Sequence, residues 1–206
     1  MKTLLAHSFK KGFTLVELLI VIGLLGAIAL IVIAAINPIE QANRARDARF
    51  RADGGQIISA VERYFASHSS FPWEGCAGSS CTTSSEAAFG FVSASDDGVG
   101  LCSGSSCATA GILVTGDELK SEFIARDFIK ATAVDKKIFV GKGQGSSSSM
   151  YACYIPLSKA TRDTAITNVK IRSLSFDANG VPSVNSACTT ANDNWGQNGC
   201  YVCIPE

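Results

Sequence analysis

Hydrophobic residues are concentrated in one uninterrupted run near the start of the chain. The run extends from Phe13 to Ile36, and its only polar side chains are those of Thr14 and Glu17. As a helix, its 24 residues would be about 36 Å long, which exceeds the roughly 30 Å hydrocarbon core of a bilayer. The run therefore predicts a membrane-spanning helix.

The residues after the run predict a break and then a second helical stretch. Asn37 and Pro38 end the run, because proline removes a helical hydrogen bond and disfavours helical backbone at the preceding residue. We expect a kink or a short break there, followed by helix over residues 39–68. Gly54-Gly55 in this stretch favours either local flexibility or close packing. Apolar residues at helical spacing predict a face packed against a sheet: Ile57, Ile58, Val61, Tyr64 and Phe65.

The rest of the chain predicts mixed helix and strand. Phe71-Pro72-Trp73 closes the long helix, and residues 75–111 are expected to form loops. A short helix is expected over residues 117–131, begun by Thr115 or Asp117. Its apolar face would be formed by Leu119, Phe123, Ile124 and Phe128.

Four later segments are typical of strands. They are Lys137–Val140, Met150–Leu157, Thr167–Phe176 and Tyr201–Ile204. The third segment changes parity and needs a bulge near Arg172 or Ser173. Asn179-Gly180 predicts the turn after it. The expected fold class is α+β, with a long N-terminal helix packed on a C-terminal antiparallel sheet.

Charge is balanced over the whole chain. It has 18 Lys and Arg and 18 Asp and Glu, so the formal net charge is zero. This balance excludes a strongly basic nucleic-acid binder and a strongly acidic tail protein. Charges of both signs alternate early in residues 39–68. This pattern predicts a solvated face or ion pairs between subunits, with no specific nucleic-acid partner.

A short basic segment precedes the apolar run. Residues 1–12 contain Lys2, Lys10 and Lys11. Positive charge beside a single membrane helix favours retention of that side in the cytoplasm. We therefore expect a single-pass protein of the cell (inner) membrane with a cytoplasmic N-terminus and an exported C-terminal domain.

Two simpler interpretations of the N-terminus compete with this one. A secretory signal peptide also has a basic start and an apolar stretch, and Ala27-Ile28-Ala29 is similar to a small-residue cleavage site. An uncleaved signal anchor is the second. Neither explains Glu17, since a charged group inside a membrane helix costs a few kcal/mol and usually marks function.

The N-terminal residues resemble the type IV pilin and pseudopilin family. The similarity consists of Lys10-Lys11-Gly12, then Phe13-Thr14-Leu15-Val16-Glu17-Leu18, then the apolar run. It implies cleavage by a prepilin peptidase between Gly12 and Phe13 and methylation of the new N-terminus at Phe13. It also implies that Glu17 is the buried glutamate used in assembly. The close similarity ends near Pro72, and beyond it only the layout is pilin-like.

A physical argument supports a role for Glu17. Cleavage after Gly12 would create an amine on Phe13, and Glu17 lies four residues later, so both groups can share one helix face. In a filament core of packed apolar helices, the carboxylate can also reach a neighbour's amine and set the axial stagger. A buried charge without such a partner would be strongly unfavourable.

Eight cysteines predict an oxidising compartment and disulfides. The two short C-x4-C spacings favour local pairs, Cys76 with Cys81 and Cys102 with Cys107. The other four are Cys153, Cys188, Cys200 and Cys203. On a strand Cys200 and Cys203 point to opposite faces, so we expect them to take separate partners. Zinc is not expected, because a structural site needs four ligands and C-x2-C spacing occurs only once.

Chemistry of other kinds is not predicted. The sequence has no nucleophile motif, phosphate loop or paired carboxylates, so we expect no enzyme activity, no cofactor and no metal. Asp96-Asp97-Gly98 and Asn192-Asp193-Asn194 offer oxygens to calcium, but neither has an EF-hand pattern. Turn formation is the preferred interpretation of both.

The sequence thus predicts four segments. They are a leader (1–12), a transmembrane and filament-core helix (13–36), an exported amphipathic half of the long helix (37–72) and a disulfide-bearing globular domain (73–206). The leading functional hypothesis is a subunit that polymerises into a type IV pilus-like surface filament for adhesion, motility or DNA uptake. A pseudopilin of a type II secretion or competence system is the first alternative, and a membrane-anchored exported binding domain is the second.

The resemblance also implies partners. They are other copies of the chain, the prepilin peptidase, an assembly platform protein and its ATPase, and membrane lipid before assembly.

Overall fold

The computed structural model describes residues 12–35, 37–74, 76, 81–104 and 107–206. The leader lysines Lys2, Lys10 and Lys11 and the end of the apolar run at Ile36 lie outside the described residues. Residues up to Ile39 form one unit, and Glu40–Glu206 form another.

Two helices begin the described chain. Helix α1 covers Leu15–Ala35 and helix α2 covers Pro38–His68. Pro38 is the first residue of α2, a position where its fixed backbone angle fits and its missing N–H is not needed. The helix therefore ends and restarts where Asn37-Pro38 predicted a break.

The remaining elements are short. The helices are α3 (Ile112–Thr115), α4 (Asp127–Lys130) and α5 (Lys159–Thr167). The strands are β1 (Phe89–Ser93), β2 (Cys102–Ser103), β3 (Thr109–Ala110), β4 (Ile138–Lys142), β5 (Met150–Tyr154), β6 (Arg172–Phe176), β7 (Pro182–Val184) and β8 (Val202–Ile204). Strands β1-β4-β5-β8 form an antiparallel sheet in that order, while β2-β3 and β6-β7 form two-stranded pairs.

Helix α2 packs on one face of the four-stranded sheet. A Cβ at Gly54 would lie 3.1 Å from the Ala152 Cβ and 3.2 Å from the Ile204 Cδ1. The glycine thus permits a close approach between α2 and strands β5 and β8, which favours the packing interpretation at this position. The buried layer between helix and sheet includes Ile57, Val61, Tyr64, Ile138, Val140, Ala152 and Tyr154.

The opposite face of the sheet carries a second buried layer. Successive strand residues point to opposite faces, so Cys153 and Ile155 lie in this layer while Ala152 and Tyr154 face α2. Other members are Ala165, Ile171, Cys188, Trp195, Cys200, Tyr201 and Cys203. The α+β, pilin-like fold class is confirmed.

The expectation that residues 75–111 form only loops was wrong. They contain β1, β2 and β3, and β1 pairs with β4 at the edge of the main sheet. The aromatic ring of Phe89 in β1 stacks on Trp73 at 4.3 Å between centroids, and Trp73 stacks on Phe71 at 4.6 Å. The burial of these aromatic rings stabilises β1, although the Gly and Ser content of the surrounding segment predicts loops.

The single helix expected over residues 117–131 was also wrong. The backbone is extended at Lys120 and Arg126, so a 3-10 turn at Ser121–Ala125 and the short α4 replace one helix. The left-handed backbone of Asp117, with φ of 59°, likewise separates α3 from this segment. The apolar side chains nevertheless point inward, and Leu119, Phe123 and Phe128 are buried.

The strand expected over Thr167–Phe176 begins only at Arg172. Thr167 is instead the last residue of helix α5, which covers residues 159–167. Ser158 caps this helix by accepting a hydrogen bond from the Thr161 N–H at 3.3 Å. The strand pairing has a register irregularity between Arg172 and Phe176, where a bulge was expected. The turn at Asn179-Gly180 is present, with φ of 73° at Gly180.

The bounds of the other three expected strands also differ, and β4 covers Ile138–Lys142 where Lys137–Val140 was expected. The strand expected over Met150–Leu157 ends at Tyr154, since Pro156 cannot donate to the ladder. The last strand begins at Val202, and Tyr201 exchanges two backbone hydrogen bonds with Arg172.

Candidate processing and assembly site

The predicted cleavage bond lies just before helix α1. Gly12 and Phe13 have non-helical backbone, and Phe13 is 83% exposed. A Cβ placed on Gly12 would have no neighbour within 4 Å, so the fold itself does not require glycine there. A requirement for glycine would therefore reside in a processing enzyme.

Thr14 and Glu17 form a reciprocal cap at the start of α1. The Thr14 backbone N–H donates to Glu17 Oε2 at 2.8 Å, and the Glu17 N–H donates to Thr14 Oγ1 at 3.2 Å. The Thr14 hydroxyl also donates to Glu17 Oε2 at 2.9 Å. This capping box satisfies two backbone donors that the first helical turn leaves without partners.

The cap leaves one carboxylate oxygen available. Both Thr14 donors use Glu17 Oε2, and no described residue donates to Glu17 Oε1. None of the capping atoms belongs to residues 1–12, so cleavage after Gly12 would leave the cap intact. Sequence reasoning missed this cap, although the Thr-x-x-Glu spacing at a helix start was a readable signal.

The surface of α1 is almost entirely apolar. Leu15–Ile33 has a mean hydropathy of 3.0, and the helix is long and apolar enough to cross a membrane. Its large side chains are exposed in the single chain, including Leu15 at 79% and Leu30 at 71%. An apolar surface of this extent marks a site for lipid or for other helices. Gly23 and Gly26 leave open space on this surface.

Comparison with known proteins identifies the N-terminal segment. A family model for the prokaryotic N-terminal methylation motif matches residues 8–33. The chain carries the type IV pilin and pseudopilin leader motif. No curated protein and no solved structure gives a significant match. The motif supports a pilin-like or pseudopilin exported subunit, and it includes Gly12, Phe13 and Glu17.

The motif does not extend to the unit Glu40–Glu206, where α2 is attached by two carboxylates. Glu40 accepts hydrogen bonds from the N–H groups of Lys159 at 3.0 Å and Ala160 at 3.2 Å, and from the Ser158 hydroxyl at 2.8 Å. These bonds to the start of α5 lower the pKa of Glu40 to about 2. Asp47 accepts from the N–H groups of Leu157 at 3.0 Å and Ser158 at 2.9 Å.

Basic residues of α2 also make internal contacts. Arg46 donates to the Ile155 carbonyl at 3.1 Å and to the Asp135 carbonyl. Asp53 is 2% exposed and lies 3.6 Å from Arg126, and burial raises the pKa of this carboxyl. Several charges for which the sequence predicts a solvated face or subunit contacts therefore hold the unit Glu40–Glu206 together.

All eight cysteines form disulfides. The pairs are Cys76–Cys81, Cys102–Cys107, Cys153–Cys203 and Cys188–Cys200, with Cα separations of 5.5, 4.6, 4.0 and 6.4 Å. Cys153 and Cys203 are directly paired residues of β5 and β8. The two C-terminal cysteines take separate partners, as expected, because Cys200 bonds to Cys188 and Cys203 bonds to Cys153.

The two polar clusters considered for calcium are engaged in turns. Asp193 accepts from the N–H groups of Thr189 at 2.7 Å and Thr190 at 2.8 Å, and from the Thr190 hydroxyl at 2.8 Å. Asp96 caps a short 3-10 turn by accepting from the Gly98 N–H at 3.0 Å.

Proposed function

We propose that this chain is a structural subunit of a type IV pilus-like filament, assembled through α1 after removal of residues 1–12. The observation that carries the proposal is a single carboxylate, Glu17, in an otherwise apolar and exposed helix that lies almost entirely within the matched methylation motif. The exported unit 40–206 would form the outer surface of the filament. Its function is then assembly and display, without catalysis.

The steps follow from the chemistry of the N-terminus. The basic leader keeps the N-terminus cytoplasmic while the C-terminal unit is exported. Prepilin peptidase cuts between Gly12 and Phe13 and methylates the new amine of Phe13. Lipid covers α1 until a platform protein and its ATPase move the chain into the filament, where other copies of α1 replace the lipid.

Glu17 would provide the axial register of that packing. Apolar surfaces slide on one another with little preference for one stagger, whereas a buried carboxylate is tolerated only beside a charge or donor. Thr14 holds Glu17 Oε2, so Oε1 is the atom available to an amine of Phe13 on the same or a neighbouring chain. Only correct staggers satisfy every such group.

A substitution series at Glu17 tests the proposal. Glu17→Ala should leave membrane insertion, leader cleavage and the exported unit intact, because none of them needs the carboxylate. Sedimented filament mass per total processed protein should fall sharply, and Glu17→Asp should restore little because of its shorter reach. Asp163→Ala, which removes an exposed carboxylate of α5, is the matched control and should assemble normally. Normal assembly of Glu17→Ala would remove the basis for the register mechanism.

A further inference from the structure

The exported unit has ends of opposite net charge along α2. We call residues 44–53 and 126–137 the basic end, since they contain eight Lys or Arg and four Asp. Two of these arginines, Arg44 and Arg51, pair with Glu40 and Glu206, and the basic residues still outnumber the acidic ones when both glutamates are included. We call residues 54–68 and 116–122 the acidic end, since they contain four Asp or Glu and two Lys or Arg. The two ends therefore differ in the sign of their net charge.

Contacts along α2 show that this separation is spatial. Arg63 Nε lies 2.9 Å from Glu118 Oε2, Arg126 Nη1 lies 3.6 Å from Asp53 Oδ1, and Arg46 donates to the Asp135 carbonyl. Residues 118–135 thus run antiparallel beside α2, from the level of Arg63 to that of Arg46. At 1.5 Å per residue this distance is about 26 Å along the axis.

The basic end contains a cleft of about 520 Å³. Its walls include Arg49, Arg126 and Lys136, with Phe50 and Phe128 beneath. Arg49 and Lys136 are exposed, and their side chains make no hydrogen bond or ion pair with any described residue. The carboxylates of Asp53 and Asp127 also line the cleft, and with Arg46 it has four cationic and two acidic side chains. The cleft is therefore suited to an acidic group from outside the chain.

The acidic end offers such a group. Glu122 and Asp117 are exposed, and the Glu122 side chain has no ion-pair partner within the described part of the chain, although Arg63, Lys120 and Arg126 line the same groove. Along both ends, the outward face of α2 is lined by small exposed or half-buried residues: Ala45, Ala48, Ala52, Gly55 and Ser59. A second molecule can approach this face closely without displacing large side chains.

We propose that Glu122, at the border of the acidic end of one copy, docks at the cleft in the basic end of the next copy beside Lys136. The contact joins different surfaces of identical chains, and such a head-to-tail contact extends into an open helical array when its rotation does not close a ring. This inference rests on the proposed filament function. It assigns to the exported unit a second register device, separate from Glu17, with an axial offset of roughly 10–25 Å.

Charge reversal at both ends tests the contact. Glu122→Lys and Lys136→Glu each place like charges opposite one another, so filament mass per processed protein should fall about tenfold in each variant alone. Producing the two variants together should restore filaments to within about threefold of wild type, because each mutant end then meets an opposite charge on the other chain. The double variant on one chain should recover similarly. Asp163→Lys makes the same change of charge on α5 and should have no effect.

Two results would overturn the contact. The first is assembly of either single reversal at the wild-type level. The second is failure of both reversals to assemble alone, together and as the double variant. The second result would mean that the two residues contact some other molecule or act only in folding. Failure of the filament function itself is distinguishable, since wild-type and Asp163→Lys chains would then also be absent from the sedimented fraction.

Discussion

At the scale of single residues, Glu17 is positioned by its own helix before any second chain is present. Its bonds to Thr14 fix one carboxylate oxygen and leave the other open. The carboxylate therefore needs little further ordering when a donor arrives, which lowers the entropic cost of pairing. Gly12, by contrast, is not held by its surroundings, because no described atom would contact a side chain at that position.

This contrast gives a prediction for leader cleavage. Replacing Gly12 with a bulky residue such as Val should leave folding unchanged but block cleavage, because only the peptidase site would be sensitive to the added side chain. Denaturing gels of membrane fractions would measure processing. A Gly12→Val chain that is still shortened by about 12 residues would show that the cleavage assignment is wrong, while Gly12→Ala provides the smallest change for comparison.

At the scale of elements, α2 is attached to α5 and the preceding turn by carboxylates that lie more than a hundred residues away in sequence. The first N–H groups of α5, and those of the residues just before it, have no helical carbonyl to donate to. They donate to the carboxylates of Glu40 and Asp47. A negative charge at a helix N-terminus is additionally favoured by the helix dipole. The first part of α2 is thus part of the exported fold.

The lowered pKa of Glu40 predicts a pH dependence of stability. Its stabilising contribution is fully present above its ordinary pKa of 4.5 and is lost as the pH falls towards about 2. Glu40→Gln should lower the unfolding free energy at pH 7 by about 1 kcal/mol. The difference from wild type should shrink between pH 4.5 and pH 2.

Urea unfolding of the detergent-solubilised full chain measures this effect. Asp163→Asn serves as the control, since its side chain makes no hydrogen bond with the described residues. A Glu40→Gln deficit that stays constant down to pH 2 would contradict the electrostatic account of this contact.

The sequence predicted those elements that have a local cause. Helix α1 follows from the continuous apolar run, and the break at Pro38 follows from proline geometry. The buried face of α2 follows from apolar periodicity. The turn at Gly180 follows from its backbone freedom. Strand β1 has no such local signal, because the stacking of Phe89 on Trp73 determines its conformation. Segment 117–131 also has none, because its packing beside α2 determines its backbone conformation.

The candidate site was predictable in the same local sense. Gly12, Phe13 and Glu17 form a short pattern that can be read in order along the chain. The roles of Glu40 and Arg46 could not be predicted, since their partners near residue 158 and at Asp135 are brought close only by the fold. The sequence of charges in α2 does not indicate which charged side chains point towards the rest of the fold.

At the scale of the whole molecule, disulfides tie the layer on the side of the sheet away from α2. Cys153–Cys203 joins two paired strands and spans 50 residues of sequence, whereas Cys102–Cys107 spans only 5. In the chain-entropy description, the longer loop restricts the unfolded chain more. The expected contributions are about 4 and about 2 kcal/mol.

Paired substitutions compare these two disulfides. Replacing Cys153 and Cys203 together with Ala should lower the unfolding free energy by about 2 kcal/mol more than replacing Cys102 and Cys107. Thermal or urea unfolding of the purified chain reports the difference, and peptide mapping without reductant verifies the remaining pairs. Equal losses from the two double variants would contradict the loop-length argument.

Mass spectrometry of sheared, sedimented surface filaments reads the N-terminal peptide of the assembled subunit. If the filament is built from chains cut between Gly12 and Phe13 and methylated on Phe13, this peptide should begin at Phe13 with one added methyl group on its amine. A filament fraction that lacks this chain, or contains it with a different N-terminus, would rule out the proposed subunit.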